Sequence, residues 1–163
     1  MAQVTLGGNP INTAGNLPNL GTSAPDFELI NKDLTPKSLK DFSGNKLVLN
    51  IFPSVDTGVC AASIRKFNEL ANKMENTKVL SISKDLPFAM NRLCTSEGLE
   101  NIINLSAFRG GFDAYGVEII DSAFKGLFSR AIVVIDESGK IIHTEQVPEI
   151  GQEPDYEAVL AIL

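Results

Sequence analysis

The hydrophobic pattern changes its period several times along the chain, and each change marks an element. Leu47, Val48, Leu49, Ile51 and Phe52 form a nearly unbroken apolar run, so Lys46–Ile51 reads as a buried strand. Ala61, Ile64, Phe67, Leu70, Ala71 and Met74 then recur at helical spacing, which predicts an amphipathic helix. Thr77–Ser83 alternates and carries Val79, Leu80 and Ile82, a second core strand. Asp85 is placed to cap a short helix running through Pro87 to about Leu93, with proline in its first turn and Cys94 at its end. Gly98 is the breaker before the segment Leu99–Leu105.

Two further patterns predict hairpins. Val4–Leu6 and Pro10–Thr13 flank Gly7-Gly8-Asn9, and Ala131–Ile135 and Lys140–Glu145 flank Asp136-Glu137-Ser138-Gly139. Pro154–Leu163 reads as a closing helix with Pro154 in its first turn. The resulting order is hairpin, strand, helix, strand, helix, helix, hairpin, helix, with Leu99–Leu105 in the third helical place. Strand–helix–strand units imply parallel pairing, and the closing hairpin adds antiparallel strands. The expected fold class is α/β. A central mixed sheet with helices on both faces is a thioredoxin-like layout, here with an N-terminal β-hairpin extension.

Composition narrows the function classes. The chain has 163 residues without repeat or low-complexity tract, so one domain spanning residues 1–163 is expected. A net charge of −6 supplies no field to draw nucleic acid or an anionic membrane, and neither partner is expected. No apolar run reaches membrane-spanning length. The first charged residue is Asp26 and the first basic one is Lys32, so the start lacks a secretory leader's basic segment, and a cytoplasmic location is expected. Two cysteines, Cys60 and Cys94, and one histidine, His143, are too few for a zinc site, and no CxxC is present. No metal or cofactor is expected.

The chemistry concentrates at Pro53-Ser54-Val55-Asp56-Thr57-Gly58-Val59-Cys60, between the first core strand and the first helix. Free N–H groups and the positive end of the macrodipole gather at a helix start and stabilise negative charge there. An anionic sulfur is the nucleophilic form of cysteine. A free cysteine is often no more than a small buried hydrophobe. Here, three neighbours favour a reactive role: the helix start, the Thr57 hydroxyl three positions earlier, and Pro53, which shields the loop and fixes its path.

The octapeptide Pro53–Cys60 resembles the active-site signature of the peroxiredoxins. The likeness extends through Ala61-Ala62-Ser63, Asp85-Leu86-Pro87-Phe88-Ala89, Cys94, Glu97-Gly98-Leu99, Tyr115-Gly116-Val117, Arg130–Asp136, Glu149-Ile150 and Glu153-Pro154-Asp155-Tyr156. It covers nearly the whole chain and is similar to the atypical two-cysteine branch of that family. The resemblance implies a thiol-specific peroxidase that reduces hydrogen peroxide and organic hydroperoxides. It makes Cys60 the peroxidatic cysteine, Cys94 the resolving one, and Thr57 and Arg130 the groups that orient peroxide and sulfur, with Pro53 shielding them. It also implies recycling of a Cys60–Cys94 disulfide by thioredoxin, and a homodimer.

On this reading the first turn after Cys60 and the segment around Cys94 unwind on oxidation, because a disulfide needs Cα atoms within about 7 Å. A non-enzymatic redox switch built on the same disulfide is the alternative, separated from the enzyme by whether peroxide is turned over. His143 is expected to face solvent from the closing hairpin. Asp56 would oppose an anionic sulfur if it pointed inward, and is expected to face solvent or cap the helix. Phe27, Phe52, Phe88 and Phe124 are read chiefly as core, with an apolar access surface as the lesser reading.

Overall fold

The computed structural model describes residues 1–163. Its strands are β1 (Gln3–Leu6), β2 (Asn9–Asn12), β3 (Leu29–Ile30), β4 (Pro36–Lys37), β5 (Lys46–Ile51), β6 (Thr77–Ser83), β7 (Ile102–Ser106), β8 (Ala131–Ile135) and β9 (Ile141–Gln146). Its α-helices are α1 (Gly58–Leu70), α2 (Pro87–Glu97) and α3 (Tyr156–Ile162). Seven strands make one mixed sheet in the order β4-β3-β7-β6-β5-β8-β9, and β1-β2 stand apart as a hairpin.

The centre of the sheet follows from the sequence pattern. β5 pairs parallel with β6, β6 pairs parallel with β7, and β8 returns antiparallel on β5. Parallel strands buried on both faces read as near-continuous apolar runs, which is why all of β5 after Lys46 is buried and only Asn50 interrupts its apolar run. Leu47, Leu49 and Ile51 enter one core cluster, while Val48 enters the other.

Two expectations are corrected here. Leu99–Leu105 is not helical: Ile102–Ser106 is strand β7. Ile102, Ile103 and Leu105 are adjacent or alternate at strand spacing, and the segment pairs in parallel with β6. The helices also gather on one face. Ile64 and Phe67 of α1, Met90 and Cys94 of α2, and Val159 of α3 all pack in the same cluster. The other face is covered by two short 3-10 helices, Leu39–Phe42 and Asp113–Tyr115, through Phe42 and Tyr115, and by irregular segments through Phe27, Phe112 and Phe128. Two successive right-handed crossovers, β5-α1-β6 and β6-α2-β7, place α1 and α2 on the same side because the sheet grows in one direction through them.

Helix ends differ in detail from the pattern reading. Asp85 does not cap α2; Leu86 holds the cap position, and Pro87 opens the helix. Pro154 lies outside α3, whose cap is Asp155, accepting from the Ala158 N–H at 3.1 Å. Gly98 does end α2, in the left-handed region at φ 67°, where glycine carries no Cβ penalty. The Gly98 and Leu99 N–H groups both close on the Cys94 carbonyl, which seals the last turn.

The N-terminal hairpin forms as expected, turning at Gly7 and Gly8 with φ 58° and 84°. It buries Val4 and Ile11 against Ile119 and Ile150. No helix of the protein is long and apolar enough to cross a membrane.

Candidate active site

β5 ends at Ile51, and antiparallel pairing sets that residue opposite Ala131, the first residue of β8. The register brings the loop after β5 beside Arg130, which immediately precedes β8. Cys60 is the third residue of α1 and is wholly buried. Arg130 is only 1% exposed, which rules out a surface role. Its Nη2 donates to the Cys60 Sγ at 3.1 Å, and its Nε donates to the Ile150 carbonyl at 2.8 Å. Nη1 is buried with no protein partner. A buried guanidinium without a carboxylate is costly, and its retention here indicates a group that meets negative charge.

The remaining expected residues assemble around this pair. Pro53 is buried; Thr57 is the α1 cap residue and is half-buried. The Thr57 hydroxyl donates to the Ser54 carbonyl at 3.1 Å instead of capping the helix. With its proton committed there, its lone pairs remain to accept. Pro53, Thr57 and Arg130 line a cavity of about 240 Å³ whose other walls include Leu6, Phe124 and Ile150. Of the four phenylalanines considered from sequence, only Phe124 lines this cavity; Phe27 and Phe52 are core, and Phe88 is exposed on α2.

A hydrogen bond also fixes the first turn of α1 from behind. Ser63 Oγ donates to the Cys60 carbonyl at 2.8 Å, and Asn50 Nδ2 donates to Ser63 Oγ at 3.3 Å. The one buried polar residue of β5, Asn50, thus faces the cysteine-bearing helix. Asp56 points to solvent and pairs with Arg92 of α2 at 3.1 Å, away from the sulfur.

Cys94 occupies a separate environment. It is 8% exposed, and its Sγ accepts from Asn104 Nδ2 at 3.2 Å. The same amide donates to the Met90 carbonyl at 3.3 Å, pinning one turn of α2 onto β7. Burial pushes the Cys94 thiol up; the Asn104 N–H opposes this and the Glu97 carboxylate adds to it. The larger cleft of about 610 Å³ lies beside Cys94 and Asn104, yet it holds none of the residues around Cys60. Both cysteines are free thiols.

His143 departs from expectation: it is half-buried on β9 opposite Val134, with Nε2 enclosed and unpartnered, and far in register from the cysteine loop. Sequence reasoning also missed Asp85, Asn104 and Glu149 as parts of the site's support. Asn104 carried a signal, a polar residue inside an apolar strand, but its partner lies across the sheet–helix interface.

Glu149 ties the hairpin to the cavity wall. Its carboxylate accepts from the Gly151 N–H at 2.7 Å, the Gly8 N–H at 2.8 Å and the Thr5 hydroxyl at 2.9 Å. The neighbouring Ile150 holds Arg130 by its carbonyl. The Gly151 and Gly8 N–H groups hold the Glu149 carboxyl below its ordinary value of 4.5. A depressed carboxylate stabilises the fold above its unfolded value and loses that contribution as pH falls through its folded value. Glu149→Gln is therefore expected to lower the melting temperature at neutral pH, with the gap to wild type closing as pH falls below about 4.5. Melting curves of both proteins across that range check the sign.

Comparison with known proteins agrees with this geometry. Residues 19–160 match the Redoxin family. The chain is 54% identical to the thiol peroxidase of Corynebacterium glutamicum over 164 residues, covering 100% of this chain and 99% of that one. It is 55% identical to the thiol peroxidase of Mycobacterium bovis over 164 residues, with the same coverage of 100% and 99%. Its structure is similar to that of a peroxiredoxin-like protein from Aquifex aeolicus, with a TM-score of 0.93 at 37% identity over 99% of this chain and 95% of that one. The chain belongs to the redoxin family, on a thioredoxin-like fold. Within it, the protein is a peroxiredoxin-type enzyme of the bacterial thiol peroxidase kind, and hydroperoxides are its substrate class. The family match begins at residue 19, after the β1-β2 hairpin, whereas the two thiol peroxidases match across that hairpin as well.

Proposed function

We propose that Cys60 is the peroxidatic sulfur, that Cys94 resolves it, and that thioredoxin recycles the pair. The observation that carries this reading is the Arg130 Nη2 hydrogen bond to the buried Cys60 Sγ. The anionic sulfur attacks one oxygen of the hydroperoxide along the O–O axis. That bond breaks, an S–O bond forms, and the other oxygen leaves as water or an alcohol after gaining a proton. Arg130, with Nη1 free, meets the charge that grows on the peroxide oxygens. Thr57, whose proton is held by Ser54, accepts from the peroxide O–H and fixes its approach. Pro53 excludes water from one side of the cavity.

The sulfenic acid then condenses with the Cys94 thiol, releasing water and forming the disulfide. A dithiol attacks that disulfide, and two exchange steps return both thiols while the reductant is oxidised. Cys60 lies in the first turn of α1 and Cys94 in the sealed last turn of α2, so both turns open for the sulfurs to bond. The high thiol character of Cys94 suits a residue that waits for the sulfenic acid instead of meeting peroxide first.

The proposal extends to residues 1–163 acting as one domain, in a cytoplasmic compartment that keeps thioredoxin reduced, and as a homodimer. Exposed Leu86, Phe88 and Phe108 offer an apolar surface for a second copy. The decisive assay is peroxide consumption coupled to thioredoxin and its reductase. Sustained turnover is expected; one stoichiometric oxidation would instead support the redox-switch reading. Cys94→Ser is expected to complete a first oxidation at close to the wild-type rate and then recycle at under about one tenth of it with thioredoxin. Wild-type recycling by this variant would remove Cys94 from the cycle.

A further inference from the structure

We propose that Asp85 is the latch that holds the cysteine loop in its peroxide-binding form and opposes the unwinding that lets Cys60 reach Cys94. This inference rests on the assignment of those two sulfurs given above. Asp85 is a positioning residue: it lies just past the end of β6 and does not line the substrate cavity.

Its carboxylate grips the loop at two adjacent residues. Oδ1 accepts from the Ser54 hydroxyl at 2.8 Å, and Oδ2 accepts from the Val55 N–H at 2.9 Å. Oδ2 also accepts from the Ser83 hydroxyl at 2.6 Å. On the other side the residue is anchored to the sheet. Its N–H donates to Ser83 Oγ at 3.2 Å, and its carbonyl accepts from the Ser106 hydroxyl at the end of β7. One residue therefore joins the ends of two parallel strands to the loop that precedes Cys60, β6 and the loop through its carboxylate and β7 through its carbonyl.

The grip is transmitted to the reacting groups. Ser54 Oγ accepts from the Asp56 N–H at 3.1 Å, and the Ser54 carbonyl accepts both the Thr57 hydroxyl at 3.1 Å and the Thr57 N–H. Thr57 holds the cap position of α1, so the path runs from Asp85 through Ser54 to the helix start that carries the sulfur. No lysine, arginine or histidine pairs with Asp85. Its charge is met by hydroxyl and N–H donors, two of them on the loop, and hydrogen bonds to a charged acceptor are stronger than neutral ones. Releasing the loop leaves the carboxylate with Ser83 and solvent, so the latch favours the closed form.

Asp85 also stands at the root of α2, whose cap is the next residue, Leu86. It thus sits between the cysteine loop, which must open, and the first turn of the helix whose last turn carries Cys94. Holding the loop closed speeds the meeting of Cys60 with peroxide and slows disulfide formation. A sulfenic acid that lingers in the closed site meets a second hydroperoxide, which transfers an oxygen to give the sulfinic acid and leaves as water or alcohol. The strength of the latch sets the division between these two fates.

The test is rapid mixing of reduced full-length protein with hydrogen peroxide, acid quenching, and mass spectrometry of the thiol, sulfenic, disulfide and sulfinic forms. Asp85→Asn keeps the size of the side chain but removes one acceptor and the charge. It is expected to slow Cys60 oxidation by about tenfold and to speed disulfide formation severalfold, so that less sulfinic acid forms per peroxide consumed. Ser54→Ala, which leaves Asp85 in place, is expected to shift both rates in the same directions by less. The double variant is expected to fall short of the sum, because the two residues share one contact. Should Asp85→Asn fold poorly, Ser54→Ala alone still requires the opposite-signed pair of changes. Both rates staying within about twofold of wild type, or both falling together, would overturn the latch. If wild type itself forms no Cys60–Cys94 bond, it is the sulfur assignment that fails, and the two failures read differently in the same experiment.

Discussion

Cys60→Ser is expected to abolish peroxide turnover, to below roughly one ten-thousandth of the wild-type rate. The reason is chemical and local. Serine keeps the size of the side chain and can still accept from Arg130 Nη2, so the buried turn of α1 retains its packing. What it loses is a soft, polarisable anion. A hydroxyl at this position stays protonated at neutral pH and is a poor nucleophile toward an O–O bond. The coupled thioredoxin assay reads the loss, and a melting curve close to wild type separates it from unfolding. Residual turnover above about one tenth would place the attacking group elsewhere and end the proposed mechanism.

The second large effect is expected at Arg130. Arg130→Met should lower the second-order rate of Cys60 oxidation by about 10²–10³-fold, the usual cost of removing a donor aimed at developing charge. Reduction of a disulfide already formed should change little, because the arginine's work is done when the O–O bond breaks. The fold should tolerate the change. Replacing a buried charge with an apolar side chain of similar length is often neutral for stability, while the Ile150 carbonyl loses one partner at about 1–3 kcal/mol. Arg130→Lys is the informative companion. Its ammonium is a point charge and cannot hold the rigid fork that spans Ile150 and Cys60, so it should restore only part of the rate. Single-turnover oxidation by peroxide, followed by mass spectrometry, measures both variants. Equal losses for Met and Lys would mean that geometry outweighs charge; no loss in either would remove Arg130 from the reaction.

Much of the site was legible in the sequence because it is local. A buried strand, a proline-opened loop and the helix start that carries Cys60 are all encoded between Lys46 and Cys60, and hydrophobic period reports the strand and the helix directly. The same reasoning found both hairpins and the helix that opens at Pro87, though it ended that helix near Leu93 where the structure carries it to Glu97. It misread Leu99–Leu105, where a five-residue strand offers too few positions to distinguish strand from helix by period. It misread Asp85 as a cap because an acidic residue before proline suits a helix start equally well, and nothing local announces a partner thirty residues upstream. Arg130 was reached only through family likeness, because its neighbours in sequence carry no sign of a partner seventy residues upstream.

The chain's order of residues by itself determined where the sulfur proposed to react sits, which segment becomes the helix behind it and which runs form the central strands. Those features depend on short-range periodicity and on the capping chemistry of a few adjacent positions. Only the tertiary structure decided what faces that sulfur. Arg130 meets Cys60 because β8 pairs antiparallel with β5 in one register, and a shift of one residue would send its side chain to the opposite face. Asp85, Asn104 and Glu149 find their partners through the packing of β6 against the cysteine loop, β7 against α2 and the hairpin against the segment after β9. Such contacts join residues far apart in sequence, and their existence depends on how whole elements dock, which no local pattern records.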